Sequence, residues 1–183
     1  HNSRQGAKRS SSPRLKGEGA CHQGGPGTGK TTLINCISKI WKYKKVVFFL
    51  AAPTGRAAKR MSELTGEDAR TIHRMLEFSP KTGRFLKDEK SPLGCSAIVL
   101  DESSMLDISL MSSLVRATAD DATLILVGDV DQLPPVGPGN VLKDIIDSHV
   151  IPSVRLTEIF RQARRSHIVI NAHRVNAGLW PDL

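Results

Sequence analysis

The sequence predicts an α/β fold, a mostly parallel sheet with helices on both faces. A glycine-rich run, Gly24-Gly25-Pro26-Gly27-Thr28-Gly29-Lys30-Thr31, opens a segment of helical spacing. Short runs at 46–52, 97–100 and 123–127 are apolar almost throughout, as strands buried on both faces are. Segments with helical spacing separate these runs, the alternation that a parallel sheet requires.

In chain order, residues 1–20 hold five basic side chains against Glu18 and show no hydrophobic period. A disordered basic tail is expected over 1–20, carrying half of the net charge of +8, and one folded domain over 21–183. A solvated tail and a nucleic-acid contact both fit that charge. Leu33, Ile34, Ile37, Ile40 and Trp41 are spaced as one face of a helix. After the 46–52 run comes Gly55 and a helical stretch to Leu64, then a short helix over 71–78. Residues 79–94, with Pro80, Gly83, Pro92 and Gly94, read as a loop or small hairpin. A helix is expected from Ile108 to Thr118, another near 141–146, a strand at 154–156 and a last helix over 166–176.

Composition narrows the class. With 39% hydrophobic residues the 183-residue chain can build a core. The longest apolar run is too short to cross a bilayer, and the polar, basic opening lacks a secretory signal, so a cytoplasmic setting is expected. Cys21, Cys36 and Cys95 are widely spaced, and neither a zinc site nor a disulfide framework follows.

The glycine-rich run fits Gly-x-x-x-x-Gly-Lys-Thr, a phosphate loop. Its glycines let the backbone wrap an anion, and the next helix supplies a positive field. Gly25, Pro26, Gly27, Thr28, Gly29, Lys30, Thr31 and Thr32 are the expected nucleotide contacts. Lys30 reaches the outer phosphates and the Thr31 hydroxyl holds Mg²⁺. As a ligand on a surface loop, Lys30 is expected to contribute little to folding. Asp101 and Glu102 follow the 97–100 run; Asp101 suits the metal and Glu102 suits a general base for water. A strand-end acidic pair also caps helices, and only the phosphate loop tips the reading toward catalysis. Gln132, in Gly-Asp-Val-Asp-Gln-Leu-Pro-Pro-Val, can sense a γ-phosphate, while a plain turn with an exposed amide fits the spacing equally. Thr54, Asp101, Glu102, Asp129 and Gln132 all follow strand ends, where ligands of parallel sheets bind.

Taken in order, the phosphate loop, Ala-Pro-Thr-Gly-Arg-Ala-Ala-Lys-Arg, Thr-Ile-His-Arg-Met-Leu, Asp-Glu-Ser-Ser-Met and Gly-Asp-Val-Asp-Gln-Leu-Pro-Pro-Val-Gly-Pro-Gly resemble the first, RecA-like motor domain of RecD-like superfamily 1 DNA helicases, the exodeoxyribonuclease V alpha-subunit group. Leu-Thr-Glu-Ile-Phe-Arg-Gln at 156–162 resembles that group's next motif. The resemblance implies ATP and Mg²⁺ as cofactors, 5′→3′ movement on single-stranded DNA, and other helicase-nuclease subunits as partners. It places Pro53, Thr54, Gly55 and Arg56 on the DNA backbone, with Thr71 and His73 near the strand. It puts Gln132 at the γ-phosphate and makes Arg161 a phosphate contact. Aromatic residues, at 4%, offer no broad stacking platform for bases.

Two departures from that pattern shape the expectation. Residues 17–23 make a poor strand where the group has an apolar one, so the central strand is expected to be missing. The chain opens on His1 and ends at Leu183, and a fragment without the second motor domain is expected, with little activity alone. Two alternatives stay open: the motor piece of a conjugative relaxase-helicase, and a non-catalytic domain that binds single-stranded DNA or a partner.

Overall fold

The computed structural model describes residues 19–24, 29–156, 170–171, 174–175 and 177–180. Its elements in chain order are β1 (Gly19–Gly24), α1 (Lys30–Tyr43), β2 (Phe48–Ala52), α2 (Gly55–Thr65), β3 (Ala69–Thr71), α3 (Ile72–Met75), β4 (Phe78–Ser79) and β5 (Arg84–Phe85). They continue with β6 (Ala97–Leu100), a one-turn 3₁₀ helix (Ser103–Met105), α4 (Ile108–Ala117), β7 (Thr123–Gly128), α5 (Val141–Ser148) and β8 (Ser153–Leu156).

Six strands form one sheet in the order β3-β2-β6-β7-β1-β8, and every pairing is parallel. The expected α/β architecture is the observed one. Alternation along the buried strands divides the core between the two faces. Ala51, Ile98, Leu100 and Leu126 face α3, α4 and α5 through Ile72, Met75, Leu114 and Leu142. Leu50, Val99, Ile125 and Val127 face α1 and α2 through Ile34 and Met61. Strands apolar at every position are what two covered faces demand.

The central strand, expected to be missing, is present. β1 pairs along one edge with β7, from Gly19↔Leu124 to Gln23↔Gly128, and along the other with β8, from Cys21↔Ser153 to Gly24↔Leu156. Ladders on both edges satisfy its backbone groups, and this tertiary pairing overrides the weak strand propensity of Gly-Ala-Cys-His-Gln-Gly. Gly19 and Ala20, read as part of the tail, belong to the strand; residues 1–18 lie outside the described residues.

Three smaller differences have local causes. Thr71 ends β3 instead of opening a helix, and its hydroxyl accepts the Arg74 N–H to start the single turn α3. Residues 78–85 form the small hairpin: β4 and β5 pair antiparallel, Phe78 opposite Phe85. Of the helix expected over 166–176, only 170–171 and 174–175 are described, and all four are helical.

Candidate nucleotide and nucleic-acid site

The site forms where the carboxyl ends of β1, β6 and β7 lie side by side. Gly24 ends β1 and Lys30 begins α1, with Gly29 as its N-cap at φ 86°, a left-handed conformation in which glycine carries no Cβ penalty. Thr31 and Thr32 follow on the first turn. Gly25, Pro26, Gly27 and Thr28, expected nucleotide contacts, lie outside the described residues, as does Arg161.

Lys30 is no loose surface side chain, contrary to the expectation for its folding role. Its Nζ lies 4.0 Å from Oδ2 of Asp129, and the two side chains are 14% and 3% exposed. Asp129 directly follows β7. Its Oδ1 accepts the Asp131 N–H at 3.1 Å, and its carbonyl accepts the Gln132 N–H at 3.2 Å. One buried carboxylate thus touches both the expected phosphate lysine and the turn that carries Gln132. Sequence reasoning noted Asp129 at a strand end but gave it no role. Its place directly after a fully apolar strand was the available signal.

Asp101 follows β6, and its Oδ1 accepts the Glu102 N–H at 2.9 Å. Burial pushes the Asp101 carboxyl above its ordinary value of 3.8. The charge of Glu102 pushes the same way, against the Glu102 N–H and the cations Lys30 and Arg60. Glu102 stands at φ 52°, ψ 39°, left-handed for a residue with a side chain, and its buried Oε2 has no hydrogen-bond partner. The 3₁₀ helix follows at once, so the chain reverses here and leaves both carboxylates at the strand end. Ser103 Oγ donates to the Leu100 carbonyl at 2.9 Å and pins the reversal. Gly128 lets β7 approach it closely: a Cβ there would lie 3.1 Å from the Ser104 amide nitrogen and 2.6 Å from Leu142 Cδ2. Gln132 is exposed, and Ser104 Oγ lies 3.5 Å from its Oε1, a long contact. The half-buried carboxylates of Asp101 and Glu102, one Glu102 oxygen without a protein partner, beside Lys30 are a donor set that fits a hard divalent cation with its phosphates.

The expected DNA contacts lie at the other flank of the same edge. Ala52 and Thr71 are register partners at the ends of β2 and β3, so α2 and α3 start side by side. The Thr54 hydroxyl caps α2 by accepting the Ala57 N–H at 3.2 Å. Arg56, Lys59 and Arg60 on α2 are exposed, as are His73 and Arg74 on α3. Pro53 is half-buried; Gly55 is exposed, and nothing crowds a Cβ built there. His73 packs against Phe78 and Phe85, with ring centroids 5.6 and 5.5 Å away and the two phenyl rings 5.2 Å apart. Folding gathers three rings that composition disperses.

A cavity of about 510 Å³ lies elsewhere, at the amino half of β2 against Met75 and Leu93, and none of the expected site residues lines it. No helix among the described residues is long and apolar enough to cross a membrane.

A parallel sheet in which β1 leads toward the N-terminus of α1, with acidic residues at the ends of the neighbouring strands β6 and β7, defines an α/β domain whose carboxyl edge suits a ligand. The chain belongs to the AAA domain family, whose model matches residues 12–138. It is 39% identical over 162 residues to the ATP-dependent RecD2 DNA helicase of Deinococcus radiodurans, covering 87% of this chain and 22% of that protein. It is 37% identical over 167 residues to the RecBCD enzyme subunit RecD of Mycobacterium tuberculosis, covering 79% of this chain and 28% of that one. Among solved structures it resembles the Pif1 helicase from Candida albicans, with a TM-score of 0.59 at 22% identity over 92% of this chain and 42% of that one. That likeness shows the shared fold. The resemblance to RecD-like helicases read from the motifs is borne out, and the chain spans about a quarter of the length of those two curated relatives.

Proposed function

We propose that this chain is the ATP-binding motor domain of a 5′→3′ DNA helicase, acting in the cytoplasm on single-stranded DNA. The observation that carries the reading is the approach of Lys30 to the buried Asp129 beside Asp101 and Glu102, with the exposed cations of α2 on the same sheet edge. The names of the relatives, ATP-dependent DNA helicase and RecBCD subunit, support it. They also make other helicase-nuclease subunits the partners to look for.

Bound Mg²⁺ supplies charge neutralisation for the phosphates, and Thr31 and Asp101 would hold it. The chain's own groups do the rest. The Gly25–Thr32 segment binds phosphate through backbone amides and hydroxyls, and Lys30 contributes a charge-assisted contact. Glu102 is the base: its unpartnered Oε2 can accept a proton from water. Gln132 and Arg161 are the further phosphate contacts. Pro53, Thr54, Gly55 and Arg56 bind the DNA backbone, with Thr71 and His73 beside the strand. Hydroxyls, open amides and guanidinium groups suit phosphates and carry no sequence information.

ATPase activity measured with and without single-stranded DNA tests this reading. ATP binding, with turnover raised by single-stranded DNA in a version extended to a second motor domain, is expected. DNA binding with no ATP binding would replace the motor by a non-catalytic binder.

A further inference from the structure

Asp129 sits between two parts of the site that must act together and belongs to neither assigned set. It is 2% exposed. A buried carboxylate is costly unless compensated, and here the compensation is divided between its oxygens. Oδ2 faces Lys30 Nζ at 4.0 Å, the outer limit of an ion pair and beyond hydrogen-bond reach. Oδ1 holds the Asp131 N–H, and the carbonyl of the same residue holds the Gln132 N–H. The turn downstream is anchored at its far end too. The Pro138 carbonyl accepts the Ile108 N–H at 3.0 Å, and Gly137 packs so closely on Asp107 that a Cβ there would overlap that side chain. Between these anchors Leu133 and Val136 are 87% and 110% exposed. A shift at Asp129 has only the 130–136 segment in which to be absorbed.

We propose that Asp129 is a positioning residue that couples Lys30 to the Gln132 turn. Its carboxylate holds the lysine loosely, at 4.0 Å, and the turn firmly, through the Asp131 N–H at 3.1 Å. When Lys30 moves to a phosphate, the buried carboxylate loses its counter-charge, and the turn it holds rearranges. This rests on the nucleotide-site reading above and adds to it a route by which the lysine's occupancy reaches Gln132 before any γ-phosphate is sensed. A ligand shifts such an equilibrium only through contacts that differ between the two states, and the Lys30–Asp129 approach is such a contact.

ADP with Mg²⁺ is the probe, because it offers Lys30 a phosphate and offers Gln132 no γ-phosphate. Backbone amide resonances of the full chain are followed by NMR during titration. Wild type is expected to shift at Lys30 and Thr31 and also at Asp131 and Gln132. Asp129→Asn keeps an acceptor for the Asp131 N–H and removes the charge facing Lys30. It is expected to keep the shifts at Lys30 and Thr31 and to lose those at Asp131 and Gln132. A merely structural role would not separate the two responses. Wild-type shifts at Lys30 without any at Asp131 and Gln132 would overturn the coupling, whether or not the variant folds. So would a folded Asp129→Asn that retains the full response. Absence of every shift in wild type would overturn the nucleotide-site reading itself, and the coupling with it.

Discussion

The two flanks of the sheet's carboxyl edge are built on opposite terms. At the β1–β6–β7 flank the charged groups are buried or half-buried, and two of them are held by neighbours: Lys30 by Asp129, Asp101 by the Glu102 N–H. At the β2–β3 flank the cations Arg56, Lys59, Arg60 and Arg74 stand in solvent, and helix-capping threonines are the ordered polar groups. A buried site is organised before its ligand arrives, and its residues contribute to folding as well as to binding. An exposed flank contributes to binding almost alone, by charge that salt screens.

The sharpest break between the flanks is expected at Glu102. In a version with both motor domains, Glu102→Gln should keep nucleotide binding and lower turnover by about 10²- to 10⁴-fold, the usual worth of a general base. Its melting temperature should not fall, since the amide replaces a carboxylate whose buried oxygen has no partner. Steady-state ATPase rates with melting curves decide; turnover within a few-fold of wild type would remove Glu102 from the role. Next comes Lys30→Ala, which should weaken nucleotide binding and also lower stability by about 3 kcal/mol, because it strands a buried carboxylate. Denaturant unfolding of the single variant and of Lys30→Ala with Asp129→Asn tests this, and the double variant should recover much of the loss. An unchanged midpoint in the single variant would place Lys30 with the exposed flank instead.

Arg56→Ala should leave the unfolding midpoint unchanged. It should reduce the slope of log affinity for single-stranded DNA against log salt by about 0.7, one phosphate's worth. The smallest effect is expected at Asp101, and its sign runs opposite to that of Lys30. Because burial raises this carboxyl, the folded state resists its ionisation, so Asp101→Asn should raise stability of the ligand-free protein slightly at neutral pH. The gain is present while the native carboxyl is ionised and disappears as pH falls through its raised value, above 3.8. Melting curves from pH 4 to 8 read it directly; a variant less stable than wild type at pH 7 would contradict it.

The sequence made the same distinction unevenly visible. β2, β6 and β7 were legible because both covered faces require apolar side chains at every position. α2 was legible from Gly55 and the helical spacing that follows it, although the capping role of Thr54 was not read. β1 was not, because its stability comes from ladders to β7 and β8, which no local window contains. The three-residue β3 was hidden for the same reason, with the capping Thr71 read as part of a helix. At the site, the strand-end residues Asp101, Glu102 and Gln132 were readable one by one. The pairing of Lys30 with Asp129 joins segments far apart in the chain, and periodicity carries no trace of it. The His73–Phe78–Phe85 cluster was equally hidden, since only the hairpin brings the two phenyl rings opposite each other.

The left-handed backbone of Glu102 has a consequence for anyone redesigning this domain. A residue with a Cβ held there costs about 1 kcal/mol or more, which glycine would relieve. A procedure that scores the ligand-free chain by stability alone would therefore favour glycine at 102 and a neutral residue at 101. It would meet little resistance, because the two positions are unfavourable for independent reasons, one conformational and one electrostatic. The optimised protein would melt later and would have lost both of the residues assigned to metal and water. Adjacent positions at which a design score and the native sequence disagree, for unrelated physical reasons, can mark a reactive centre in a domain of this kind before any ligand is known.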